Sequence, residues 1–239
     1  MWKDYSFSYI KNNRSSSVSV LIAAFLAALF LSLLCGSFYN LWKYEVERIE
    51  IEEGNWQSRI EGTFDRDDVE ALKGFATLKN VTVEDGSIWL RFERMWDVLG
   101  DTPKIARLLG VSEEKISYHY GLLAMYLIRD GRDTAQRMVF PVILLVTVLA
   151  AVSLIVMLHY PFAVSMNARV HQFGIFSSIG ATPKQIRACL MQEAAILCTP
   201  PILAGTLLGI LGSRGLVCLS NQLGSGVPGR HEAVFGYHP

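Results

Sequence analysis

The chain has 239 residues, 22 basic against 22 acidic side chains, 51% hydrophobic content and a mean hydropathy of +0.30. An average so apolar, with the apolar residues gathered into blocks, excludes an ordinary soluble domain. The four cysteines (Cys35, Cys189, Cys198, Cys218) lie in or beside those blocks without C-x-x-C spacing, which excludes a disulfide framework and a cysteine metal centre and makes them small buried hydrophobes.

Residues 1–17 carry Lys3, Lys11 and Arg14 against Asp4 and form a short basic segment of the kind kept in the cytoplasm. Residues 18–38 carry no charge and are long enough to cross about 30 Å of hydrocarbon. A cleaved signal peptide is the alternative. Its apolar core would be shorter, and Leu34-Cys35-Gly36-Ser37-Phe38-Tyr39 is a poor small-residue cleavage site.

Residues 39–137 hold 14 basic and 19 acidic side chains, enough chain for one acidic, extracytoplasmic α+β domain. Within it, 42–60 mixes apolar and acidic residues and is expected to contain a strand ending near Arg59-Ile60. Asp65–Ala76 has helical spacing, with Val69, Leu72 and Phe75 on one face. Asn80–Glu93 predicts a hairpin: Val81 and Val83 alternate, Glu84-Asp85-Gly86-Ser87 turns, and Ile88, Leu90 and Phe92 return. Thr102-Pro103 is expected to open a helix that Gly110 stops. Ser112 is expected to cap a further helix or turn over 113–119, and the apolar 122–127 to be extended or a docking helix.

Residues 105–117 also resemble a DNA-binding helix-turn-helix, with a glycine turn and a capped second helix. A recognition helix that starts Ser112-Glu113-Glu114 would repel phosphates, and it sits in an acidic segment that the charge rule puts outside the cell. Two short helices joined by a glycine turn are expected instead, with no nucleic-acid partner. The aromatics Tyr39, Trp42, Tyr44, Tyr126, Phe140 and Tyr160 fall near the ends of the apolar runs, where interfacial anchoring is their default role.

A second apolar run occupies 138–160. It is mostly β-branched residues and leucine apart from Pro141, a composition that suits a stiff lever. Residues 161–192 hold Arg169, Lys184 and Arg187 with no acid and are assigned to the cytoplasm. Phe173, Phe176 and Ile179 recur at threes, so a helix from about Asn167 to Ile179 has an apolar face. Gly180 stops it. Thr182, Pro183 and Gln185 then form a capping box for a new helix. That helix continues into a third apolar run over 193–213, where Pro200-Pro201, Gly205, Gly209 and Gly212 are tolerated if neighbours satisfy the backbone. Residues 214–239 form an extracytoplasmic tail. The fold class is a membrane protein with about three transmembrane helices and an α+β domain between the first two.

The segment from Arg169 through Gly174-Ile175-Phe176-Ser177-Ser178-Ile179-Gly180-Ala181-Thr182-Pro183-Lys184-Gln185-Ile186 resembles the signature of FtsX-like (MacB-type) ABC transporter permeases. That signature reads roughly Arg-x-x-Glu-Ile-Gly-Ile-Leu-Arg-Ala-Leu-Gly-Ala-Thr-x-x-Gln-Ile. Here Gln172-Phe173 replaces the acidic residue before Ile-Gly, and serine replaces the second basic residue. Family members continue with a further membrane helix, so a truncated or N-terminal portion is expected.

The resemblance implies a permease subunit in the plasma membrane, with its N-terminus cytoplasmic, that works with a separate cytoplasmic ABC ATPase and a second permease copy or half. The lipid bilayer is its solvent. The chain would transmit the ATPase's motion to the outer domain without a substrate having to cross the bilayer. The coupling residues implied are Arg169, Phe173, Gly174, Ile175, Phe176, Ile179, Gly180, Ala181, Thr182 and Gln185. The chain contains no Gly-x-x-x-x-Gly-Lys-Ser/Thr loop, so ATP hydrolysis is expected on the partner. No catalytic group, cofactor or metal site is expected: the five histidines are scattered and no Ser/His/Asp grouping is present. The competing reading is a membrane-anchored sensor or regulator whose outer domain binds a ligand.

Overall fold

The structure is a computed structural model. It describes residues 14–72, 74–133, 139–167, 174–175, 178, 180, 182–225 and 231–236. The chain divides into two compact units. One comprises the residues up to Asn40 together with those from Leu144 onward; the other is Leu41–Ile143. Among the described residues, three helices are long and apolar enough to cross a membrane.

The smaller unit is an antiparallel sheet with short helices. It begins within the first helix, α1 (Arg14–Glu52), which runs well past the expected end at Phe38. The expectation for 42–60 named only a strand near Arg59-Ile60; its first part is helix. The repeat Glu45-Val46-Glu47-Arg48-Ile49-Glu50 alternates as a strand would, yet it also suits a helix. Val46 and Ile49, three apart, reach the core, while Ile51 is 67% exposed. Ion pairs Lys43–Glu47, Arg48–Glu45 and Arg48–Glu52 at helical spacing support that choice at a few tenths of a kcal/mol each. Gly54, at φ 94°, then lets the chain turn into strand β1 (Ser58–Glu61), the strand expected near Arg59-Ile60.

Helix α2 (Arg66–Leu72) is shorter than expected but buries Leu72 completely. Strands β2 (Leu78–Glu84) and β3 (Ser87–Phe92) form the anticipated hairpin, with Val81 opposite Leu90 and Val83 opposite Ile88. Its two turn residues, Asp85 and Gly86, both have positive φ, 49° and 68°. That conformation matches the right-handed twist of the flanking strands and is why Asp-Gly serves there.

Helix α3 (Val98–Leu108) begins a turn earlier than Thr102-Pro103 predicted. A 3-10 turn at Met95–Asp97 leads into it, and Pro103 sits inside. Burial overrides the proline start signal: Val98, Thr102 and Ile105 are each 0% exposed on one face of the longer helix. Gly110 ends the helix as expected. At φ 68° it allows Gly110 N–H to donate to Arg107 and Val111 N–H to donate to Ala106, a Schellman closure.

The helix or turn expected over 113–119 is realised as a turn only, and only in its first part. Glu113–Lys115 is a single 3-10 turn, and Ile116–Tyr118 is strand β4. The helix-turn-helix resemblance fails there too, because a strand occupies the place of its second helix. The pull is again burial: Ile116 and Tyr118 alternate onto the core face against Ile60 and Ser58 of β1. Residues 122–127 resolve as helix α4 (Tyr120–Met125), with Leu122 and Leu123 each 1% exposed.

The sheet order is β2-β3-β1-β4. Ile60, Ile88, Leu90, Ile105 and Leu122 centre the core, each contributing roughly 1.5–3 kcal/mol from apolar burial. Trp42 Nε1 donates to the Met125 carbonyl at 2.9 Å, and its ring stands edge-on to Tyr126 at 5.4 Å. These two aromatics therefore pack on each other within this unit.

The larger unit holds the rest of α1, helix α5 (Val139–Asn167) from Leu144 onward, and helix α6 (Pro183–Gly224). Helix α6 extends past both ends of the expected 193–213 run.

Candidate coupling turn and the helix pair behind it

The turn that the sequence singles out is built from local signals. Gly174, Ile175 and Ser178 are helical, and Ser178 Oγ donates back to the Gly174 carbonyl at 2.9 Å. Gly180 adopts φ 92°, a left-handed conformation open to glycine at little cost. Thr182 is extended (φ −73°, ψ 150°), and its Oγ1 accepts from Gln185 N–H at 3.4 Å. Gln185 Oε1 accepts from Thr182 N–H at 2.9 Å. With Pro183 in the first turn, two otherwise orphaned donors are satisfied reciprocally. The capping box read from the sequence is therefore formed, and it starts α6.

Thr182, Lys184, Gln185 and Arg187 are exposed, and Ile175 is 49% exposed. The described residues of the turn thus include one exposed apolar side chain and two exposed cations. Arg169, Phe173, Phe176, Ile179 and Ala181 lie outside the described residues.

Sequence reasoning missed how α6 is held. A Cβ built on Gly205 would stand 2.5 Å from the Phe25 carbonyl oxygen, and one on Gly209 2.7 Å from that of Leu29. From the other side, a Cβ on Gly36 would stand 2.7 Å from Ser213 Oγ. Leu197 and Cys198 pack on Val20 and Ala24. Partners on α6 advance from 197 to 213 as those on α1 advance from 20 to 36, so the two helices run parallel. Ser32 Oγ donates across the gap to the Thr206 carbonyl at 3.1 Å, a contact on the order of 1 kcal/mol in a membrane.

The signal was present as small residues four apart: Ala24, Ala28, Ser32 and Gly36 on one helix, Gly205, Gly209 and Ser213 on the other. Such rows let backbones approach closely, whereas the glycines had been read only as tolerated. Helix α5 differs. Its apolar window, Val139–Met157, has no residue buried inside the structure.

Residues 141–227 match the family described as FtsX-like permease C-terminal. Over this region the chain is similar to FtsX-like permeases. The resemblance carried by the turn is thereby confirmed, on a stretch that contains α5 from its third residue, the turn and all of α6. FtsX-like permeases are integral to membranes and work with ABC ATPases, and the three apolar helices agree with a membrane setting. The matched stretch stops short of nearly all of the sheet unit. No curated protein and no solved structure matches the chain.

Proposed function

We propose that this chain is the permease subunit of an ABC transporter and that the turn around Gly180 is the element a cytoplasmic ATPase pushes. The single observation that carries this reading is the capping-box turn inside the FtsX-like stretch, where an exposed Ile175 precedes a rigidly started helix. A force on the turn enters α6 at its first residue, and α6 is locked to α1 through the glycine contacts. The turn faces the cytosol because its flanks are basic. The partner binds and hydrolyses ATP, and the acidic sheet unit on the far side of the membrane receives the movement. A second permease copy completes the transporter, in the plasma membrane.

The test is co-purification with a candidate P-loop ABC ATPase subunit from the same cell. Ile175→Asp, and separately the double change Phe176→Asp with Ile179→Asp, should lower recovery of the ATPase at least tenfold. Recovery unchanged by both would remove the coupling role. A cysteine at the exposed Lys115 should react with an impermeant maleimide from outside intact cells; labelling only after lysis would refute the orientation.

A further inference from the structure

Between α6 and residue 236 the chain returns to the helix pair and is held there by two asparagines. Asn221 treats Ala233 as a neighbouring strand would: its Nδ2 donates to the Ala233 carbonyl at 2.9 Å, and its Oδ1 accepts from Ala233 N–H at 3.0 Å. Asn40, only 7% exposed, accepts from Gly236 N–H on Oδ1 at 3.0 Å while its Nδ2 donates to the Gly36 carbonyl at 2.8 Å. Residues 231–236 have no regular secondary structure, so the hydrogen bonds from these side chains stand in for those of a sheet. Asn40 lies one helical turn beyond Gly36, and Asn221 about two turns beyond Ser213. Both asparagines therefore continue the small-residue rows by which α1 and α6 touch.

We infer that Asn40 and Asn221 form a site for extended polypeptide backbone at one end of the α1–α6 pair, filled in cis by residues 231–236. The segment acts as a latch, because one end is bonded to α6 and the other to α1. The two helices can part at this end only when the segment lets go. The chemistry is generic to a main chain: Ala233 and Gly236 contribute only backbone groups to these bonds. An asparagine can read a backbone in this way because it carries a donor and an acceptor side by side. Neither alanine nor aspartate keeps both.

The experiment uses the full chain in detergent micelles and reads amide hydrogen exchange residue by residue. In the unaltered protein, Ala233 and Gly236 should exchange at least tenfold more slowly than unstructured peptide. Asn221→Ala should release Ala233, and Asn40→Ala should release Gly236, each by about tenfold. The native thiols Cys35 and Cys218, exposed where burial had been expected, accept nitroxide labels once Cys189→Ser and Cys198→Ala are in place. Their distance distribution should be narrow with both asparagines present and should gain a longer component without them. Exchange at the unstructured-peptide rate in the unaltered protein overturns the site, whatever becomes of the variants. An unchanged label distance in the double variant overturns the latch. Neither reading involves the ATPase, so failure of the coupling proposal leaves this one standing.

Discussion

Three left-handed positions show how far single residues announce themselves. Gly86, at φ 68°, follows Asp85 in a tight turn between alternating runs, the pattern by which such turns are found in sequence. A Cβ there would meet nothing closer than the Gly62 carbonyl oxygen at 3.5 Å, so Gly86→Ala is penalised by the backbone rather than by a clash. It should lose about 1 kcal/mol, seen as a lower unfolding midpoint. Gly110 is equally legible. Leu127 is not: it holds φ 59° where a glycine is usual. Its N–H donates to Ala124, and Ile128 N–H donates to Leu123, the same Schellman closure that Gly110 makes. Contact between Ile128 and Leu123, both in the core, fixes the geometry and overrides the residue's own preference. Leu127 is 46% exposed, so Leu127→Gly gives up little burial and should add up to about 1 kcal/mol of stability, seen as a higher unfolding midpoint.

Elements were legible where one period dominated and illegible where two fitted. The hairpin expected over Asn80–Glu93 alternated and formed with its turn where it was read, although β2 starts at Leu78 and carries a bulge between Leu78 and Asn80. Residues 45–52 satisfied both a strand and a helix pattern; burial of Val46 and Ile49 on one helical face, with small support from the ion pairs on α1, goes with the helix. Residues 113–118 looked like the start of a helix, because Ser112 followed by two glutamates is a capping signal; yet Ser112 makes no side-chain cap bond, and pairing with β1 won. The long helices were visible from hydropathy, but their ends were not, since α1 and α6 both run on into polar sequence.

At this scale the close approach of α1 and α6 gives a sharp contrast. Gly205→Ala should sharply lower thermal stability in micelles, because its methyl group would meet backbone at 2.5 Å and the helices would have to separate. Gly215→Ala, on the same helix with nothing within 4 Å, should be neutral or stabilising by up to about 1 kcal/mol. Equal effects at both positions would mean that the pair is not packed in this way.

For the molecule as a whole, acid should loosen the sheet unit. Glu113 accepts hydrogen bonds from Arg107 and then Arg132, which hold its carboxyl below its ordinary 4.5. Asp101 is held below 3.8 by the hydrogen bond from Lys104, and further by that from Thr77, against an opposing contribution from burial. Both carboxyls favour the folded state when ionised. Their support is complete above the ordinary values and fades as pH falls through the depressed ones. Unfolding midpoints should be flat from pH 7 to about pH 5 and drop below that. Glu113→Gln together with Asp101→Asn should flatten the drop.

The capped turn at Gly180 and Thr182 was readable because caps and glycines are local signals. The latch was not, because it joins Asn40 to Gly236, which lie 196 residues apart. No periodicity spans such a distance.

The parallel sense of α1 and α6 constrains how the chain is threaded through a bilayer. Two neighbours that point the same way cannot be joined by a simple hairpin, so the polypeptide has to travel back between them. Among the described residues, α5 is the helix long and apolar enough to do so. In the proposed membrane setting, Arg14 and Pro183 would then emerge on one face, the orientation that loop charge predicts.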